Sequence, residues 1–307
     1  AMVRSLMGLE DAITMDIVDP YRDERGWQFT PEEDDCTVDS VNGFDYLGEA
    51  YVEADPDYTG RVTVPVLWDT ETDTIVNNES IEIMETLATE MREVGNGADL
   101  YPADIREEVD AVVDAIYDPI NNGVYRAGFA GTQEAYETAV TELFDALGHW
   151  DDVLADQRYL AADGERLTLA DLRMFATLVR FDQVYHTHFK CNRRPISQYD
   201  NLWPYVRDVY TTPGIAETVN MAHIKEHYYT THTDINPTAF VPPGPDPDFE
   251  ADHDRDDLPG CPPAEPVARA AAADHTPDAR PLHTPPPRLP PAPSGPPGAV
   301  AACHPPT

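Results

Sequence analysis

Proline distribution limits what this chain can fold into more than any other feature of its sequence. Of its 30 prolines, 20 lie in the last 67 of 307 residues. Proline lacks a backbone N–H and fixes φ, so runs such as Thr284-Pro285-Pro286-Pro287 and Pro290-Pro291-Ala292-Pro293 cannot build a helix or a sheet. We therefore expect residues 1–245 to fold and residues 246–307 to form a disordered, proline-rich tail. The alternative for the tail is a polyproline II ligand of a partner protein.

The chain is strongly acidic, with 57 Asp and Glu against 20 Lys and Arg and a net charge of −37. Such a surface repels phosphates, which excludes general nucleic-acid and anionic-membrane binding. Apolar residues make up 41% of the sequence, enough for an ordinary core, so the acidity does not indicate disorder throughout. We interpret it as haloadaptation, with a cation-binding surface as the alternative. Haloadaptation predicts loss of structure in dilute buffer, where the repulsion between carboxylates is unscreened.

The number and spacing of the cysteines indicate the cellular compartment of the protein. Cys36, Cys191, Cys261 and Cys303 are too widely spaced for a disulfide framework or a metal knuckle. The chain also shows neither a signal peptide nor an apolar run of about 18 residues. We therefore expect a cytoplasmic protein without a membrane segment.

Two groups of side chains have some features of a metal site. His223 and His227 are four residues apart on one helix face, but only His232 has a spacing that fits a third ligand. Glu53, Asp55 and Asp57 lack the rest of a calcium-binding loop. We expect a capped surface helix and solvated acids at these positions, and no metal.

The part of the chain that we expect to fold contains two regions with different sequence patterns. In residues 1–95, a β-branched strand over residues 61–69 is interrupted by a proline. A polar turn and a second strand at residues 74–76 follow this strand, and residues 77–80 begin a helix. In residues 96–245, apolar side chains recur at helical spacing, and Thr168 to Asp171 resemble a capping segment. The sequence predicts an α+β domain over residues 1–95 and an all-helical domain over residues 96–245. The clearest helical faces are Ile105, Val109, Val112, Val113 and Ile116, and Ala135, Ala139, Leu143, Leu147 and Trp150.

A candidate ligand site lies at the end of the first strand and the start of the next helix. A cis peptide bond before Pro65 would turn the backbone N–H and C=O of Val64 outward, towards a peptide-like ligand. At the helix start, Ser80 offers backbone N–H groups and a hydroxyl to a carboxylate, and Glu79 offers a carboxylate to an α-ammonium. The alternative is an edge-strand proline and an ordinary helix cap. Together, at this spacing, the features predict a thioredoxin-type site for a thiol peptide.

Several longer segments occur in the order found in one enzyme family. They are Gly26-Trp27-Gln28-Phe29, residues 62–69 (VTVPVLWD), residues 77–80 (NNES), residues 121–130 (NNGVYRAGFA), Arg180-Phe181-Asp182, Val184-Tyr185, residues 188–192 (HFKCN), His223-Ile224-Lys225, His227-Tyr228-Tyr229 and Ile235-Asn236-Pro237-Thr238. On these segments the chain resembles the glutathionyl-hydroquinone reductases, the Xi-class, omega-like branch of the glutathione transferases. The resemblance extends to about residue 248.

The resemblance implies an incomplete thioredoxin-like N-terminal domain, an all-α glutathione-transferase C-terminal domain and a homodimer. It implies an enzyme that removes glutathione from glutathionyl-hydroquinones, with glutathione or another γ-glutamyl thiol as co-substrate and no bound cofactor. It also assigns binding roles: Trp27 packs on the peptide, Arg61, Val62, Thr63 and Val64 bind its backbone, and Glu79 with Ser80 bind its γ-glutamyl end.

By the same resemblance, three tyrosines carry the chemistry. Tyr125 exchanges a proton with the substrate oxygen, and Tyr185 and Tyr228 donate hydrogen bonds to the thiolate or the substrate. The physical chemistry agrees, because a phenol with a pKa of about 10 is a neutral donor at neutral pH and stabilises an anion without adding charge. With 15 tyrosines in the chain, packing roles are the alternative.

One element of the family pattern has no counterpart. The nucleophile of the family is the cysteine of a Cys-Pro-Trp-Ala motif between the first strand and the first helix, whereas Ala1 to Leu6 resemble the middle of that helix. Neighbouring carboxylates should raise the pKa of Cys36, and Cys191 should be buried. We therefore expect an N-terminally truncated chain with impaired activity. The alternatives are a non-catalytic binding protein with this fold and a glutathione transferase that conjugates electrophiles.

Overall fold

The structure of the protein is a computed structural model that describes residues 1–263. Its first part holds α1 (Met2–Leu6), α2 (Leu47–Ala54), β1 (Leu67–Asp69), β2 (Thr74–Asn77) and α3 (Ser80–Thr89). β1 and β2 form a two-stranded antiparallel sheet, with Trp68 opposite Ile75 and Asp69 opposite Thr74. The predicted order of strand, turn, strand and helix is therefore confirmed, and α3 begins at Ser80 as expected.

The first strand is shorter than predicted, because it covers residues 67–69 and not residues 61–69. Pro65 has no N–H to donate to a neighbouring strand, and the peptide bond before it is cis, as the ligand-site hypothesis required. Side chains hold this segment instead of a strand partner; Tyr58 Oη, for example, donates to Arg61 O at 2.7 Å. The stretch before Pro65 is therefore an irregular segment, and its Val62 and Val64 side chains pack against a cluster that includes residues of α2.

The second part is helical. It holds α4 (Arg106–Ile116), α5 (Gly123–Gly128), α6 (Gln133–Val153), α7 (Leu169–Arg180), α8 (Leu202–Thr211) and α9 (Met221–Thr231). The predicted faces of α4 and α6 are buried at Val109, Ile116, Leu143 and Leu147. Two π-helical segments, Tyr117–Asn121 and Phe181–Tyr185, continue α4 and α7, and periodicity did not predict them. Short 3-10 turns lie at Ala162–Gly164, Ile196–Gln198, Ala216–Thr218 and Arg255–Asp257.

α7 is the central helix of the main core. Its N-cap is Thr168, and the predicted capping segment is confirmed as a capping box between Thr168 and Asp171. Nearly every residue of α7 is buried, including the apolar Leu172 and Phe175. α7 therefore sets the position of the π-helical segment that follows it.

A second, smaller core forms in the first part of the chain. It joins Trp27, Leu47, Ala50 and Tyr51, with Val62 and Val64 among the side chains packed against them. This cluster fixes the segment before the cis proline against α2.

The end of the described chain corrects a prediction. Residues 246–261, here called the C-terminal strap, pack on the helical part, although the sequence predicted disorder from residue 246 onwards. Phe249 stacks on Tyr210 with ring centroids 5.1 Å apart, and Cys261 N donates to Glu165 O at 3.1 Å. Proline content misled the prediction, because a few side chains in this stretch are anchored individually. Residues 264–307 lie outside the described residues, and their disorder remains a prediction.

Arg255 is the main anchor of the C-terminal strap. The residue is 2% exposed, and its guanidinium donates to the carbonyl oxygens of Leu154 at 2.6 Å, of Arg158 at 3.0 Å, and of Gln157. These carbonyls follow the end of α6, where backbone acceptors lack helical partners.

An Arg255→Met variant is therefore expected to lower the free energy of unfolding by about 2–3 kcal/mol, because it leaves these acceptors buried without their donor. Urea unfolding in concentrated salt measures the change. An Arg126→Met variant is the matched control, since Arg126 is exposed and its ion pair with Glu142 spans 2.8 Å; it should change stability by less than about 0.5 kcal/mol. Equal effects of the two substitutions would show that Arg255 does not anchor the strap.

Candidate functional site

Hydrogen bonds around Tyr51 join the two segments that the sequence assigned to a thiol peptide. Tyr51 Oη donates to Thr63 O at 2.9 Å, while Asn78 Nδ2 lies 3.1 Å from both Tyr51 Oη and Thr63 Oγ1. Thr63 directly precedes Val64, and Asn78 directly precedes Glu79. The end of the proline-interrupted segment and the start of α3 therefore lie side by side.

The backbone of Val64 keeps its hydrogen-bonding capacity. Within residues 1–263, neither its N–H nor its C=O forms a hydrogen bond, whereas its side chain packs in the smaller core. Unpaired main-chain groups next to a cis proline are suited to bind the backbone of an extended peptide.

The start of α3 has the expected capping geometry. Glu79 is the N-cap, with φ −91° and ψ 117°, and Ser80 is the first helical residue. Asn77 Oδ1 accepts from Glu79 N at 2.7 Å and so sets the direction in which the chain enters the helix. The first backbone N–H groups of a helix point away from it and favour an anion. The carboxylate of Glu79 also interacts electrostatically with the buried Arg173 of α7.

Trp27 belongs to the smaller core of the first part of the chain and contacts α9. Its backbone O accepts from Leu47 N at 2.9 Å, which ties it to the start of α2. Its ring stacks on His227 with centroids 4.9 Å apart and an interplanar angle of 26°. His227 in turn lies 2.8 Å from Pro20 O through Nδ1, so this nitrogen donates. Trp27 therefore places the smaller core next to His227, which directly precedes Tyr228 in α9.

The three predicted catalytic tyrosines meet at their hydroxyl groups. Tyr185 Oη lies 2.9 Å from Tyr228 Oη and 3.5 Å from Tyr125 Oη, and Tyr125 Oη also hydrogen-bonds Tyr228 Oη. They come from three elements, namely α5, the π-helical segment Phe181–Tyr185 and α9. All three side chains are buried. We refer to this group as the tyrosine triad.

Burial holds the tyrosine triad in its neutral form. It raises the pKa of each of Tyr125, Tyr185 and Tyr228, and repulsion between neighbouring phenols adds to the increase for Tyr125 and Tyr228. At neutral pH each hydroxyl is therefore a hydrogen-bond donor and not a charge. This is the property that stabilisation of an anion requires.

Three histidines surround the tyrosine triad, and the sequence did not assign them there. His188 Nε2 lies 3.3 Å from His232 Nδ1, and the rings of His227 and His232 are 5.6 Å apart between centroids. Burial lowers the pKa of His188 and His227 to about 4 and that of His232 to about 3. At neutral pH these three histidines are therefore uncharged aromatic neighbours of the triad, and we refer to them as the histidine wall.

His223 and His227, which the sequence analysis weighed as metal ligands and set aside, do not face a common site. His223 Nε2 lies 2.7 Å from Asp34 O, whereas His227 faces Trp27. Within the described part of the chain, no group of three potential ligands has a geometry that would hold a metal ion.

The described cysteines lie away from this arrangement. Cys36 Sγ lies 3.7 Å from Val18 O, and burial together with Asp19 and Glu33 raises its pKa, as the sequence predicted in direction. Cys191 is buried as predicted, which raises its pKa to about 12. Cys261 belongs to the strap. The raised pKa values mean that neither Cys36 nor Cys191 is prepared as a thiolate nucleophile.

Comparison with known protein families identifies a domain in each of the two parts of the chain. The glutathione S-transferase N-terminal domain matches residues 1–90, and the glutathione S-transferase C-terminal domain matches residues 133–208. These two domain matches define the class of protein, which is a glutathione transferase.

Individual relatives narrow this class. The chain is 49% identical to the glutathionyl-hydroquinone reductase PcpF of Sphingobium chlorophenolicum, over 80% of this chain and 77% of the relative. Among solved structures, the Xi-class transferase of Natrialba magadii is 65% identical with a TM-score of 0.83, covering 84% of this chain and 81% of that one. The glutathione-bound structure of YqjG from Escherichia coli is 46% identical with a TM-score of 0.80, covering 83% and 82%. The chain therefore belongs to the family of glutathionyl-hydroquinone reductases and Xi-class glutathione transferases.

The fold of this family consists of a thioredoxin-like N-terminal domain followed by an all-α C-terminal domain. The two short strands and the helices α4 to α9 agree with it. Among residues 1–263, no helix is long and apolar enough to cross a bilayer.

Proposed function

We propose that this chain binds glutathione across Val64 and the start of α3 and acts on glutathionyl-hydroquinones at the tyrosine triad. The observation that carries the proposal is the hydrogen-bonded contact between the two segments, made by Tyr51, Thr63 and Asn78. It puts an unpaired peptide backbone beside a helix N-terminus, which matches a γ-glutamyl peptide with a free carboxylate.

Within this site each predicted residue has one task. Val64 pairs with the peptide backbone of glutathione, Ser80 and the first N–H groups of α3 bind the γ-glutamyl carboxylate, and Glu79 binds the α-ammonium. Trp27 packs on the peptide, and Arg61, Val62 and Thr63 line its backbone. The solved structure of the Escherichia coli relative, which its authors describe as glutathione-bound, supports this ligand.

The proposed reaction transfers a glutathionyl group from a ring carbon of the hydroquinone to the sulfur of a thiolate. A thiolate attacks the sulfur of the thioether, a disulfide forms, and the electron pair of the carbon–sulfur bond leaves with the aromatic ring, which takes a proton. A second glutathione thiolate then attacks the mixed disulfide and releases oxidised glutathione. Tyr125 supplies or accepts the proton at the substrate oxygen, while Tyr185 and Tyr228 hold that oxygen by hydrogen bonds.

The source of the attacking thiolate limits the reaction that this chain can carry out. Its sequence contains no Cys-Pro-Trp-Ala segment, and Cys36 and Cys191 have raised pKa values. We therefore propose that this chain binds its thiol ligand but turns over its substrate slowly. The same observation favours a second candidate, a non-catalytic binding protein with this fold. Turnover of a glutathionyl-hydroquinone at rates typical of enzymes, with glutathione present, would contradict the proposed impairment.

Further properties accompany the proposal. The net charge of −37 supports haloadaptation, and the family supports a cytoplasmic homodimer. A thiol other than glutathione fits equally well if it carries a γ-glutamyl group, because Glu79 and Ser80 contact only that group.

A Glu79→Gln variant tests the binding mode. It is expected to weaken glutathione binding at least tenfold, because it removes the charge that faces the α-ammonium. Isothermal calorimetry in concentrated salt measures the change. Glu90→Gln is the matched control, since Glu90 is exposed at the other end of α3, and its affinity should equal that of the unsubstituted chain. Equal affinities in all three proteins would contradict the proposed site.

A further inference from the structure

The ring of Phe189 contacts every phenol of the tyrosine triad, although the chemistry proposed above does not use it. It stacks on Tyr185 with centroids 5.6 Å apart and an interplanar angle of 13°. It meets Tyr125 and Tyr228 edge to face, with centroids 5.4 Å and 5.7 Å away. These are the arrangements that aromatic pairs prefer. Phe189 is 1% exposed and has no polar side-chain atom, so it shields the side of the triad that it covers from water.

The backbone that carries Phe189 is held on its C-terminal side. Cys191 N donates to Tyr185 O at 3.0 Å, which ties this loop to a member of the triad. Tyr136 Oη of α6 donates to Lys190 O at 2.6 Å. Lys190 itself has a φ of 59°, a left-handed conformation that residues with a side chain seldom adopt. These contacts fix where the ring of Phe189 starts relative to Tyr185.

A glycine leaves room for the ring of Phe189. Gly128 is the last residue of α5, the helix that also carries Tyr125. A Cβ at this position would overlap with Cγ and Cδ1 of Phe189. Gly128 does not have the left-handed φ that often favours glycine at a helix end, so its value here is the close approach of the ring. Any larger residue would push the ring away from α5.

We propose that Phe189, seated against Gly128, is a positioning residue that holds the three phenols of the triad so that their hydroxyl groups converge. The inference rests on the proposed function, because the convergence serves the reaction only if the triad receives the substrate oxygen. The phenols come from α5, the π-helical segment and α9, and hydrogen bonds between hydroxyl groups leave the planes of the three rings free to tilt. A shared aromatic surface fixes those planes.

The alternative is that Phe189 only fills the core. Another apolar side chain of similar size would then replace it without moving the hydroxyl groups. Two substitutions that disturb the ring in different ways separate these possibilities. Phe189→Leu keeps an apolar side chain but removes the aromatic contacts, whereas Gly128→Ala keeps the ring and displaces it.

Fluorine NMR of the full chain labelled with 3-fluorotyrosine measures the effect on the triad. Its resonances are assigned from single tyrosine-to-phenylalanine variants and titrated in concentrated salt up to the pH at which the chain unfolds. Tyr21, which is 48% exposed, is the internal reference. In Phe189→Leu and in Gly128→Ala we expect the titration midpoints of the triad to fall by at least about one pH unit towards that of Tyr21. The hydroxyl groups then separate and water reaches them.

The matched control is Gly148→Ala. Gly148 lies within α6, and a Cβ there meets no atom within 4 Å, so the triad should titrate as in the unsubstituted chain. Unchanged midpoints in Phe189→Leu and Gly128→Ala overturn the inference. Should one of these two variants fail to fold, the other decides. Should neither fold, the unsubstituted chain decides, because a triad that titrates together with Tyr21 is not held as proposed.

Turnover of a glutathionyl-hydroquinone, measured on the same proteins, separates this inference from the proposed function. Phe189→Leu and Gly128→Ala should both lower turnover at least about tenfold, because the hydroxyl groups no longer meet the substrate oxygen together. Their affinity for glutathione should stay unchanged. Shifted midpoints with unchanged turnover, or no turnover in the unsubstituted chain, would count against the proposed function and not against the role of Phe189.

Discussion

An Asp171→Ala variant is expected to lose about 4 kcal/mol of unfolding free energy, a large effect for one substitution. The carboxylate of Asp171 is fully buried and accepts from Leu160 N at 2.9 Å, from Thr168 N at 2.8 Å, from Thr168 Oγ1 at 3.0 Å and from Tyr205 Oη at 3.1 Å. Alanine leaves all of these donors buried without an acceptor. It also removes the capping box of α7, the helix that leads into the π-helical segment of Tyr185.

Chemical unfolding monitored by circular dichroism measures the loss. Asp156→Ala is the matched control, because Asp156 is exposed in the loop after α6, and it should change stability by less than about 0.5 kcal/mol. A loss below about 1 kcal/mol for Asp171→Ala would mean that the buried donors find other partners, and that the capping box does not hold α7 in place.

Acidification is expected to destabilise the fold through the histidine wall around the tyrosine triad. The pKa of His227 falls from 6.5 to about 4 on folding, chiefly because of burial. The unfolded chain therefore binds a proton at a pH at which the folded chain does not. The stability that results is fully present above pH 6.5 and is lost as the pH falls towards 4, and His227 alone accounts for about 3 kcal/mol.

A His227→Asn variant isolates this contribution. The Asn amide replaces the Nδ1–H that donates to Pro20 O but does not titrate, so the stability of the variant should fall less between pH 6.5 and pH 4. The comparison is needed because Asp171 acts in the opposite direction. Its pKa is raised to about 6, so its contribution increases as the pH falls through that value.

Unfolding free energies measured at several pH values give the answer. His149→Asn, at an exposed histidine, should follow the pH dependence of the unsubstituted chain. If His227→Asn followed it too, the pKa of His227 would be the same in the folded and the unfolded chain, and burial would not hold its ring neutral as the pH falls.

The sequence predicted the parts of the site that depend on local chemistry. Proline at position 65 and the Glu79-Ser80 pair are local signals for a cis bond and a helix N-terminus, and the structure has both. The capping box at Thr168 was predictable for the same reason, because its residues are three apart in the chain.

Features that depend on distant contacts were not predictable. The contact of Asn78 with Thr63 joins residues 15 apart through a tyrosine from α2. The meeting of Tyr125 and Tyr228 spans 103 residues and was available only through family resemblance. The strap was missed because a single buried arginine, Arg255, outweighs the proline content around it.

The crystal structure of the chain with bound glutathione tests the central claim most directly. The account predicts that the γ-glutamyl carboxylate lies at Ser80, that the backbone of Val64 pairs with the peptide, and that the sulfur points towards the tyrosine triad. Glutathione seated elsewhere, or with its γ-glutamyl end away from α3, would contradict the account.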